Sequence, residues 1–284
     1  MNEARVAEIL GSPVVDRRSV GGGYTPAERW VVRLANERSA FVKVGVNELT
    51  AEWLRVEYRM YSDLRAPFMA ELLGWADEDG APMLILEDLS TCTWPPPWTD
   101  GRVASVLASL AQVAATPPPA WLPRASDDPW IGEGWSQVAE DPAPLLSTGI
   151  VSADWLEQAL PMLMAAGGPS VLDGAALCHF DVRSDNLCFR ADGSAVLVDW
   201  NFAELSNARL DIAFWLPSLL LEGGPSPESV LPDAAPEAAV VAGFFASRCG
   251  LPVIPDAPAV RDFQRRQLQV ALPWACGELG IPEP

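Results

Sequence analysis

The chain has 284 residues, a length that predicts two domains or one large domain of two lobes, because a domain has about 150 residues on average. Apolar residues make up 49% and charged residues 20% of the sequence, which indicates a full core and excludes a disordered chain. With 19 basic and 38 acidic residues, the net charge of −19 argues against broad binding of nucleic acids or anionic lipids. An acidic surface attracts cationic small molecules, although the same charge is consistent with solubility alone.

The cysteines and the apolar segments predict a cytoplasmic protein. The five cysteines are widely spaced, no C-x-x-C pair occurs, and the chain has a single histidine, so we expect reduced, buried thiols and no zinc site. The N-terminal segment MNEARVAEIL carries early acids and lacks the long apolar core of a signal peptide. The longest apolar runs, such as Ile212–Leu221, are too short to span a membrane.

The first ninety residues predict a small region of helices and strands. The runs Trp30–Leu34 and Ala40–Val44 are rich in β-forming residues and are separated by five turn-forming residues, which predicts a hairpin. Thr50 is predicted to cap a helix over Thr50–Leu64. The other predicted elements are a helix over Ala4–Leu10, which ends at Gly11, and a buried strand over Pro82–Leu86.

After residue 90 the sequence predicts a mostly helical region. The segment from Thr91 to Trp98 is rich in proline and tryptophan, which is typical of a rigid connection, so we expect one domain over residues 1–90 and another over residues 91–284. Residues 120–144 show no clear pattern. The predicted elements are helices over Gly101–Ala115, Ala153–Ala166, Asp211–Leu221, Glu237–Arg248 and Val260–Cys276, and a hairpin of Leu187–Arg190 with Ala195–Val198.

The most informative segment is ALCHFDVRSDNLCFRADGSAVLVDW, which begins at residue 176. Asp181 and Asn186 lie in its polar loop, and Asp199 follows an apolar strand. Two carboxylates and one amide that converge on one point provide the hard oxygen ligands that suit Mg²⁺. One acid would remain to accept a proton from an attacking hydroxyl group. These are the parts that phosphoryl transfer from a nucleotide needs.

The first ninety residues provide the parts that would contact phosphate groups. Lys43 lies in the middle of a predicted strand, where a charge is unusual unless it meets an anion. On the following helix, Glu57 interrupts an apolar stripe with helical spacing, which predicts a buried carboxylate with Lys43 as its partner. Gly21, Gly22 and Gly23 precede the hairpin and would let backbone N–H groups approach the phosphates closely.

Each of these features also has a purely structural interpretation. A lysine in a strand is usually a solvated edge residue, a glycine triplet is usually a loop, and a helical glutamate is usually exposed. His179 is predicted to be a structural hydrogen-bond donor. The order of these features along the chain decides between the two interpretations. They occur in this succession: glycine loop, strand lysine, helix glutamate, H-x-D-x4-N loop, hairpin and strand-end aspartate. This succession predicts a kinase-type site.

With this succession the chain resembles the aminoglycoside phosphotransferases and choline kinases, which are relatives of the protein kinases. The resemblance extends from about Val20 to the C-terminal helices and is most specific at CHFDVRSDN and VLVDWNFAELSNARLDIA. The family pattern is H-G-D-x-H-x-x-N, then I-D-W-E, with D-x-A about a dozen residues later. The matching residues are His179, Asp181, Asn186, Asp199, Trp200 and Asp211. Phe180, Arg183 and Asn201 replace the family's usual glycine, histidine and glutamate, and the first two could reshape the acceptor pocket.

The resemblance implies an α+β, bilobed protein kinase-like fold with a small β-rich N-lobe and a mostly helical C-lobe. It implies ATP or GTP and Mg²⁺ as cofactors. Lys43 would bind the α- and β-phosphates, and Glu57 would position Lys43. Backbone groups of Glu87 and Leu89 would contact the purine.

The resemblance also assigns roles in the second half of the chain. Asp181 would be the catalytic base or would orient the acceptor hydroxyl, and Asn186 and Asp199 would hold Mg²⁺. Asp211 would brace the catalytic loop. The protein-kinase motifs D-F-G and A-P-E are absent from the sequence, which favours a small-molecule acceptor over a protein.

The acceptor is predicted to be an aminoglycoside or a similar cationic antibiotic, which implies a role in antibiotic resistance. Carboxylates pair with ammonium groups and aromatic faces accept cations, and the helical region is rich in both. The acids are Asp127, Asp128, Glu133, Glu140, Asp141, Asp154 and Glu157, and the tryptophans are Trp121, Trp130, Trp135 and Trp155. These residues could equally lie on solvated helix faces or in the core.

Other acceptors and two other functions stay open. Choline, homoserine, sugars and macrolides are possible acceptors in place of an aminoglycoside. A catalytically inactive nucleotide-binding scaffold is a further hypothesis, but the presence of the full residue set argues against it. A protein kinase-like regulator is disfavoured because only eleven residues separate Asp199 from Asp211, too few for a recognisable activation segment. No nucleic-acid or membrane partner is expected.

Overall fold

The computed structural model describes residues 1–21, 26–78, 80–127, 130–255 and 257–284. Within these ranges the strands are Val14–Ser19 (β1), Glu28–Leu34 (β2), Ser39–Val44 (β3), Leu72–Ala76 (β4), Met83–Glu87 (β5), Ala176–Cys178 (β6), Leu187–Phe189 (β7), Ala195–Leu197 (β8) and Glu204–Ser206 (β9). The helices are Glu3–Leu10 (α1), Glu48–Asp63 (α2), Asp100–Ala115 (α3), Gly134–Glu140 (α4), Ala143–Ser147 (α5), Ala153–Ala166 (α6), Arg209–Leu221 (α7), Pro227–Val230 (α8), Ala235–Ala246 (α9) and Val260–Leu279 (α10). This content confirms the predicted α+β class.

The chain divides into two compact units. Unit 1 comprises Met1–Pro95 and Asp185–Phe202, and unit 2 comprises Pro96–Ser184 and Ala203–Pro284. The sequence predicted one boundary near residue 90, whereas the chain leaves unit 1 at Pro95 and returns to it for residues 185–202. The pattern of a short hairpin inside a helical region does not reveal which unit that hairpin joins.

Strands β1 to β5 form an antiparallel sheet in the order β1-β2-β3-β5-β4. The predicted hairpin of β2 and β3 is confirmed. Because successive strand residues point to opposite faces, Ala40, Val42 and Val44 of β3 share one face and belong to a buried apolar cluster. Val6 of α1 belongs to the same cluster. Lys43 is one residue out of phase and therefore lies on the other face of β3.

Helix α2 begins earlier than predicted, because its N-cap is Asn47 and not Thr50. The Asn47 side chain accepts a hydrogen bond from the Thr50 N–H at 2.9 Å, and the Asn47 N–H donates to the Thr50 hydroxyl at 3.1 Å. This reciprocal arrangement is a capping box. Thr50 contributes to it from the third helical position, so the predicted N-cap lies three residues after the actual one.

The hairpin of β7 and β8 joins unit 1 through backbone contacts. Thr93 and Phe189 exchange two hydrogen bonds, of 2.9 and 2.8 Å. The Leu197 N–H donates to the Phe68 carbonyl at 2.8 Å, which ties β8 to the segment after α2. The buried Trp200 ring packs on Phe68 with a centroid distance of 5.8 Å. These contacts fix the segment that carries Asp199.

Unit 2 is mostly helical, as the sequence predicted for this part of the chain. Residues 120–144, which gave no predicted element, contain α4 and the start of α5. The Trp135 side chain of α4 is buried, and its indole N–H donates to the Ala239 carbonyl of α9 at 2.8 Å. The two helices approach closely, because a Cβ on Gly134 would lie 2.2 Å from the backbone of Gly243.

Four short strands were also missed by the sequence analysis. β1 is exposed over most of its length and has no alternating apolar pattern, and β4 contains Gly74, which approaches α1 too closely for a side chain. β6 and β9 have three residues each, too few for a recognisable period. Across the described ranges, no helix is both long and apolar enough to span a membrane.

Replacing Asn47 with alanine is expected to lower the free energy of unfolding by about 1 kcal/mol, because the Thr50 N–H at the start of α2 loses its side-chain acceptor. Ser226→Ala is the matched control, since Ser226 is the N-cap of α8 but makes no capping hydrogen bond. Denaturant unfolding measures both variants beside the wild type. Equal losses in the two variants would show that the capping box contributes nothing.

Candidate active site

A single ammonium group holds two carboxylates together in unit 1. The Lys43 Nζ lies 2.8 Å from Oε2 of Glu57 and 2.6 Å from Oδ1 of Asp199. β3 presents the lysine, α2 presents the glutamate, and Asp199 follows β8, so three separate elements place these groups. Glu57 is 2% exposed and the Lys43 side chain 12% exposed, whereas the Asp199 side chain is 28% exposed. The predicted pairing of Lys43 with Glu57 is therefore present, and Asp199 completes it.

Burial and the mutual charges of these groups shift their pKa values. Burial disfavours the ammonium form of Lys43, but the carboxylates of Asp199 and Glu57 outweigh it and raise the pKa of the lysine. Burial raises the pKa of Glu57, the lysine opposes this shift, and the Asp199 charge adds to it. Because removal of the ammonium would leave a buried carboxylate uncompensated, the three groups stabilise one another as a set.

Asn186 and Asp199 flank the β7–β8 hairpin. Asn186 directly precedes β7 and Asp199 follows β8 by two residues, so antiparallel pairing brings both positions to the same end of the hairpin. The Val198 N–H donates to the Asn186 carbonyl at 2.9 Å, which extends this pairing. Asp199 has a φ of 69°, a left-handed conformation that aspartate adopts more readily than most residues. The end of the hairpin therefore carries one residue with an amide side chain and one with a carboxylate.

Asp211 holds the start of the loop of residues 179–184 in unit 2, called here the Asp181 loop. Its carboxylate accepts the backbone N–H groups of His179 and Phe180, both at 2.7 Å. Burial raises the pKa of Asp211 to about 6, while the two N–H groups act in the opposite direction. The buried His179 accepts the Asp181 N–H on Nδ1 at 3.2 Å, and its role as a donor stays a prediction.

Glu222 holds the end of the same loop. It follows the last residue of α7, and its carboxylate accepts the Ser184 hydroxyl at 2.6 Å and the Trp98 indole N–H at 2.9 Å. Trp98 in turn packs edge-on against Trp215 of α7 with a centroid distance of 5.4 Å. One helix therefore braces the Asp181 loop at both ends. No motif in the sequence marks this second brace, and the sequence analysis missed it.

Phe180 has a backbone φ of 59°. This left-handed region suits glycine and costs about 1–2 kcal/mol for other residues. The resembling family usually has glycine here, so this chain places a bulky side chain on a strained backbone. The N–H bond to Asp211 holds the strained peptide, and the Phe180 ring packs edge-on against Phe214 at a centroid distance of 6.1 Å.

The predicted glycine loop is described only in part. Gly22 and Gly23 lie outside the described residues. Gly21 is exposed, and a Cβ built on it would meet no atom of the described residues within 4 Å, so that part of the chain does not require glycine there. Its predicted contact with phosphate stays a prediction.

The predicted purine-contacting residues make contacts within unit 1. The Glu87 carboxylate pairs with both terminal nitrogens of Arg190, one at 2.7 Å, and this pairing lowers the pKa of Glu87. The Leu89 carbonyl accepts the Cys92 N–H at 3.0 Å and the Trp94 indole N–H at 3.2 Å. The sequence analysis missed Arg190, which ties the end of β5 to the end of β7. Contact of these backbone groups with a purine stays a prediction.

The sequence also sets Lys43 apart by residue type. It is the only lysine in the chain, and the other 18 basic residues are arginines. An ammonium is a compact point charge, whereas a guanidinium is a broad planar fork, so the two are not interchangeable between closely placed carboxylates. The single exception to arginine usage marks the position where a compact cation is required.

Replacing Phe180 with glycine is expected to give a protein more stable than the alanine variant by about 1 kcal/mol. Both variants lose the ring, but only glycine relieves the left-handed backbone. The control is the same pair of substitutions at Phe214, where the helix should make glycine the less stable variant by about 1 kcal/mol. Thermal unfolding of the four variants ranks the stability of alanine against glycine at each of the two positions. A more stable alanine variant at residue 180 would show that the backbone there is unstrained.

Comparison with known proteins places the chain in a family. The sequence pattern of the family described as Phosphotransferase enzyme family matches residues 96–244, more than half of the chain. No curated protein matches the sequence. The crystal structure of aminoglycoside phosphotransferase APH(4)-Ia is similar, with a TM-score of 0.61 at 16% identity over 98% of this chain and 96% of that chain.

Two further structures are similar at comparable levels. A thermostable mutant of APH(4)-Ia in a ternary complex with ADP and hygromycin B has a TM-score of 0.57 at 16% identity over 98% of this chain and 96% of that one. Choline kinase LicA from Streptococcus pneumoniae has a TM-score of 0.57 at 13% identity over 94% of this chain and 96% of that one. These likenesses show a shared protein kinase-like fold. Through its sequence match, the chain belongs to the Phosphotransferase enzyme family and is a small-molecule kinase, as the resemblance implied.

Proposed function

We propose that this chain transfers the γ-phosphoryl group of ATP or GTP to a hydroxyl group of a small molecule. The observation that carries the proposal is the Lys43 ammonium, fixed 2.8 Å from Glu57 and 2.6 Å from Asp199. Phosphoryl transfer is catalysed mainly by positioning and by neutralising charge, and a cation held in one place serves both purposes. The ADP in the ternary complex of the similar APH(4)-Ia mutant supports a nucleotide as the donor.

Asn186 and Asp199 fit a Mg²⁺ site by the chemistry of their donor atoms. Mg²⁺ prefers oxygen ligands and typically takes one or two carboxylates of the protein together with phosphate oxygens of the substrate. The β7–β8 hairpin presents one amide oxygen and one carboxylate oxygen at the same end. When bound, Mg²⁺ would neutralise charge on the phosphates, and Lys43 would hold the α- and β-phosphates.

Asp181 is proposed to accept the proton of the acceptor hydroxyl. The hydroxyl oxygen forms a bond to the γ-phosphorus, the bond between that phosphorus and the bridging oxygen breaks, and the proton passes to Asp181, which gives a phosphate ester and ADP or GDP. The Asp181 side chain is 20% exposed, so an acceptor can reach it. The bonds from Asp211 and Glu222 keep its loop in one conformation.

A similar structure and the positions of the predicted acceptor residues bear on the identity of the acceptor. The predicted aminoglycoside has support from hygromycin B in the similar ternary complex. Of the acids that favoured a cation, Asp128 lies outside the described residues and the others are mostly exposed. Of the tryptophans, Trp135 lies in the core, and Trp155 donates to the Pro282 carbonyl at 2.8 Å. A screen of ADP and GDP release over aminoglycosides, macrolides, choline, homoserine and sugars, with mass spectrometry of the product, would identify the class.

An adenosine analogue with a sulfonyl fluoride in place of the triphosphate is expected to modify Lys43, because a bound nucleotide places its phosphates against this amine. ATP with Mg²⁺ should protect the residue by at least about tenfold, as simple competition at saturation predicts. Since the chain has one lysine, the N-terminal amine, which pairs with Glu28 at 2.8 Å, is the internal control and should not be protected. Mass spectrometry of tryptic peptides measures both, and equal protection of the two amines would remove Lys43 from the site.

Replacing Asp181 with asparagine is expected to lower acceptor-dependent ADP release by about 10²- to 10⁴-fold, because the carboxylate that takes the proton is lost. Protection of Lys43 by ATP should be unchanged. Asp185→Asn is the matched control, since Asp185 is an exposed acid four residues along the chain and should keep near-normal release. Undiminished release by the Asp181 variant would exclude the proposed role, and no acceptor-dependent release by the wild type would favour a nucleotide-binding scaffold.

A further inference from the structure

In unit 2 a guanidinium lies beside Asp181 and packs over an aromatic ring. Arg183, two residues along the same loop, places a terminal nitrogen 3.3 Å from Oδ1 of Asp181. The guanidinium carbon of Arg183 lies 5.5 Å from the centre of the Phe263 ring of α10, a cation–π contact. The Arg183 side chain is 18% exposed and the Asp181 side chain 20% exposed. The loop therefore offers a carboxylate, a guanidinium and an aromatic ring to a molecule that reaches Asp181.

The aromatic ring of Phe263 belongs to a larger group of half-buried rings, called here the aromatic surface. Its members are Phe180, Phe214, Phe244, Phe263 and Trp130. Edge-to-face contacts link Phe180 to Phe214 at 6.1 Å and Phe214 to Phe244 at 5.3 Å, and Trp130 packs on Phe244 at 5.5 Å. Phe263 joins the group through the buried Phe245, which lies 6.4 Å from Phe263 and 5.1 Å from Phe244. The surface begins at Phe180, directly before Asp181. Each ring is partly buried and partly exposed, so the group presents apolar area to solvent.

A second guanidinium lies over this surface. The Arg248 guanidinium carbon is 4.1 Å from the centre of the Phe244 ring and 5.6 Å from that of Trp130. Its hydrogen bonds go to the carbonyl oxygens of these two residues and to the Ser247 hydroxyl, which are neutral acceptors. Burial and, to a smaller extent, the charge of Arg261 lower the pKa of Arg248 to about 10. The aromatic surface therefore carries positive charge at two places.

The position of Asp181 brings the acceptor next to Arg183. A hydroxyl that gives its proton to Asp181 must lie about 2.6–3.2 Å from a carboxylate oxygen. Because Arg183 is 3.3 Å from that carboxylate, the atoms beside the acceptor hydroxyl lie within a few ångströms of the guanidinium. A guanidinium carries five N–H donors and matches the geometry of a carboxylate or phosphate. An ammonium at the same place would meet a like charge.

We propose that the acceptor carries a negative charge near its hydroxyl and a flat apolar group, and that Arg183 with the aromatic surface selects it over cationic alcohols. This inference rests on the proposed phosphoryl transfer and on Asp181 as the proton acceptor. It differs from the cationic acceptor that net charge and composition predicted. In this assignment Arg183 determines specificity, and Asp181 remains the proton acceptor.

Matched benzyl alcohols test the charge preference directly. The probes are 4-(hydroxymethyl)benzoate, 4-(hydroxymethyl)benzamide and 4-(aminomethyl)benzyl alcohol, which share ring and hydroxyl but carry charges of −1, 0 and +1. Ligand-observed NMR with the full chain, a non-hydrolysable ATP analogue and Mg²⁺ gives the dissociation constants, and mass spectrometry detects the phosphate esters. We expect the benzoate to bind about tenfold more tightly than the amide, and the amine to bind most weakly. The anionic but ringless 4-hydroxybutyrate should also bind about tenfold more weakly than the benzoate.

Variants assign the preference to Arg183. Arg183→Gln should abolish the difference between benzoate and amide, and Arg183→Glu should make the amine the preferred probe, whereas Arg183→Lys should keep the order. Arg33→Gln is the matched control, because Arg33 is an exposed arginine of β2 with only a long ion pair of 3.8 Å to Asp16, and it should leave all three constants unchanged.

The outcomes separate this inference from the proposed function. Tighter binding of the amine or of a polycationic aminoglycoside by the wild type would overturn the inference and leave phosphoryl transfer intact. A uniform loss for all probes in Arg183→Gln, with their ratios preserved, would also overturn it, because the arginine would then act on the loop or the nucleotide. Absence of nucleotide protection at Lys43 would instead overturn the proposed function, and the inference with it.

Discussion

The site in unit 1 depends on one ammonium group that serves two carboxylates. Lys43 lies 2.8 Å from Glu57 and 2.6 Å from Asp199, and it is the only lysine that the chain has. A buried carboxylate without a cation would cost several kcal/mol. The register of β3, the start of α2 and the position of the β7–β8 hairpin must therefore all bring their charged groups to the same point. The balance is one positive against two negative charges. A triphosphate would add more negative charge to this group. A divalent cation at Asn186 and Asp199 suits the same place because it would offset that charge.

In unit 2 the constraint is the conformation of the Asp181 loop. Asp211 and Glu222 lie at opposite ends of α7 and accept hydrogen bonds from the beginning and the end of the loop. Because both braces come from one rigid helix, the loop has little freedom to relax, and the left-handed backbone of Phe180 persists with a side chain that disfavours it. The strain at Phe180 is tolerated because the hydrogen bonds to Asp211 and Glu222 hold the loop in this conformation. A catalytic carboxylate needs this kind of fixed support.

The chemistry-bearing residues could be predicted from the sequence because each stands out locally. Lys43 is a charge inside a strand, Glu57 interrupts an apolar stripe, and Asp199 ends a buried strand. The structure brings these three together, although their functional roles stay predictions. The supporting contacts could not be predicted, because Glu222 and Arg190 lie in segments without a motif and find partners that are 38 and 103 positions away. The N-cap of α2 was misplaced because threonine and asparagine both cap helices, and only their mutual hydrogen bonds show which residue begins this one.

The net charge says little about the acceptor, because it is an average over the whole surface. At physiological ionic strength the Debye length is about 8 Å, so exposed acids such as Asp154 and Glu157 affect the approach of a charged molecule more than its selection at Asp181. Selection is decided by the groups within a few ångströms of the reacting hydroxyl. There the Arg183 guanidinium lies 3.3 Å from Asp181, and it packs over the Phe263 ring. An acidic protein can therefore have an acceptor site that prefers anions, because the long-range field and the local contacts have opposite signs.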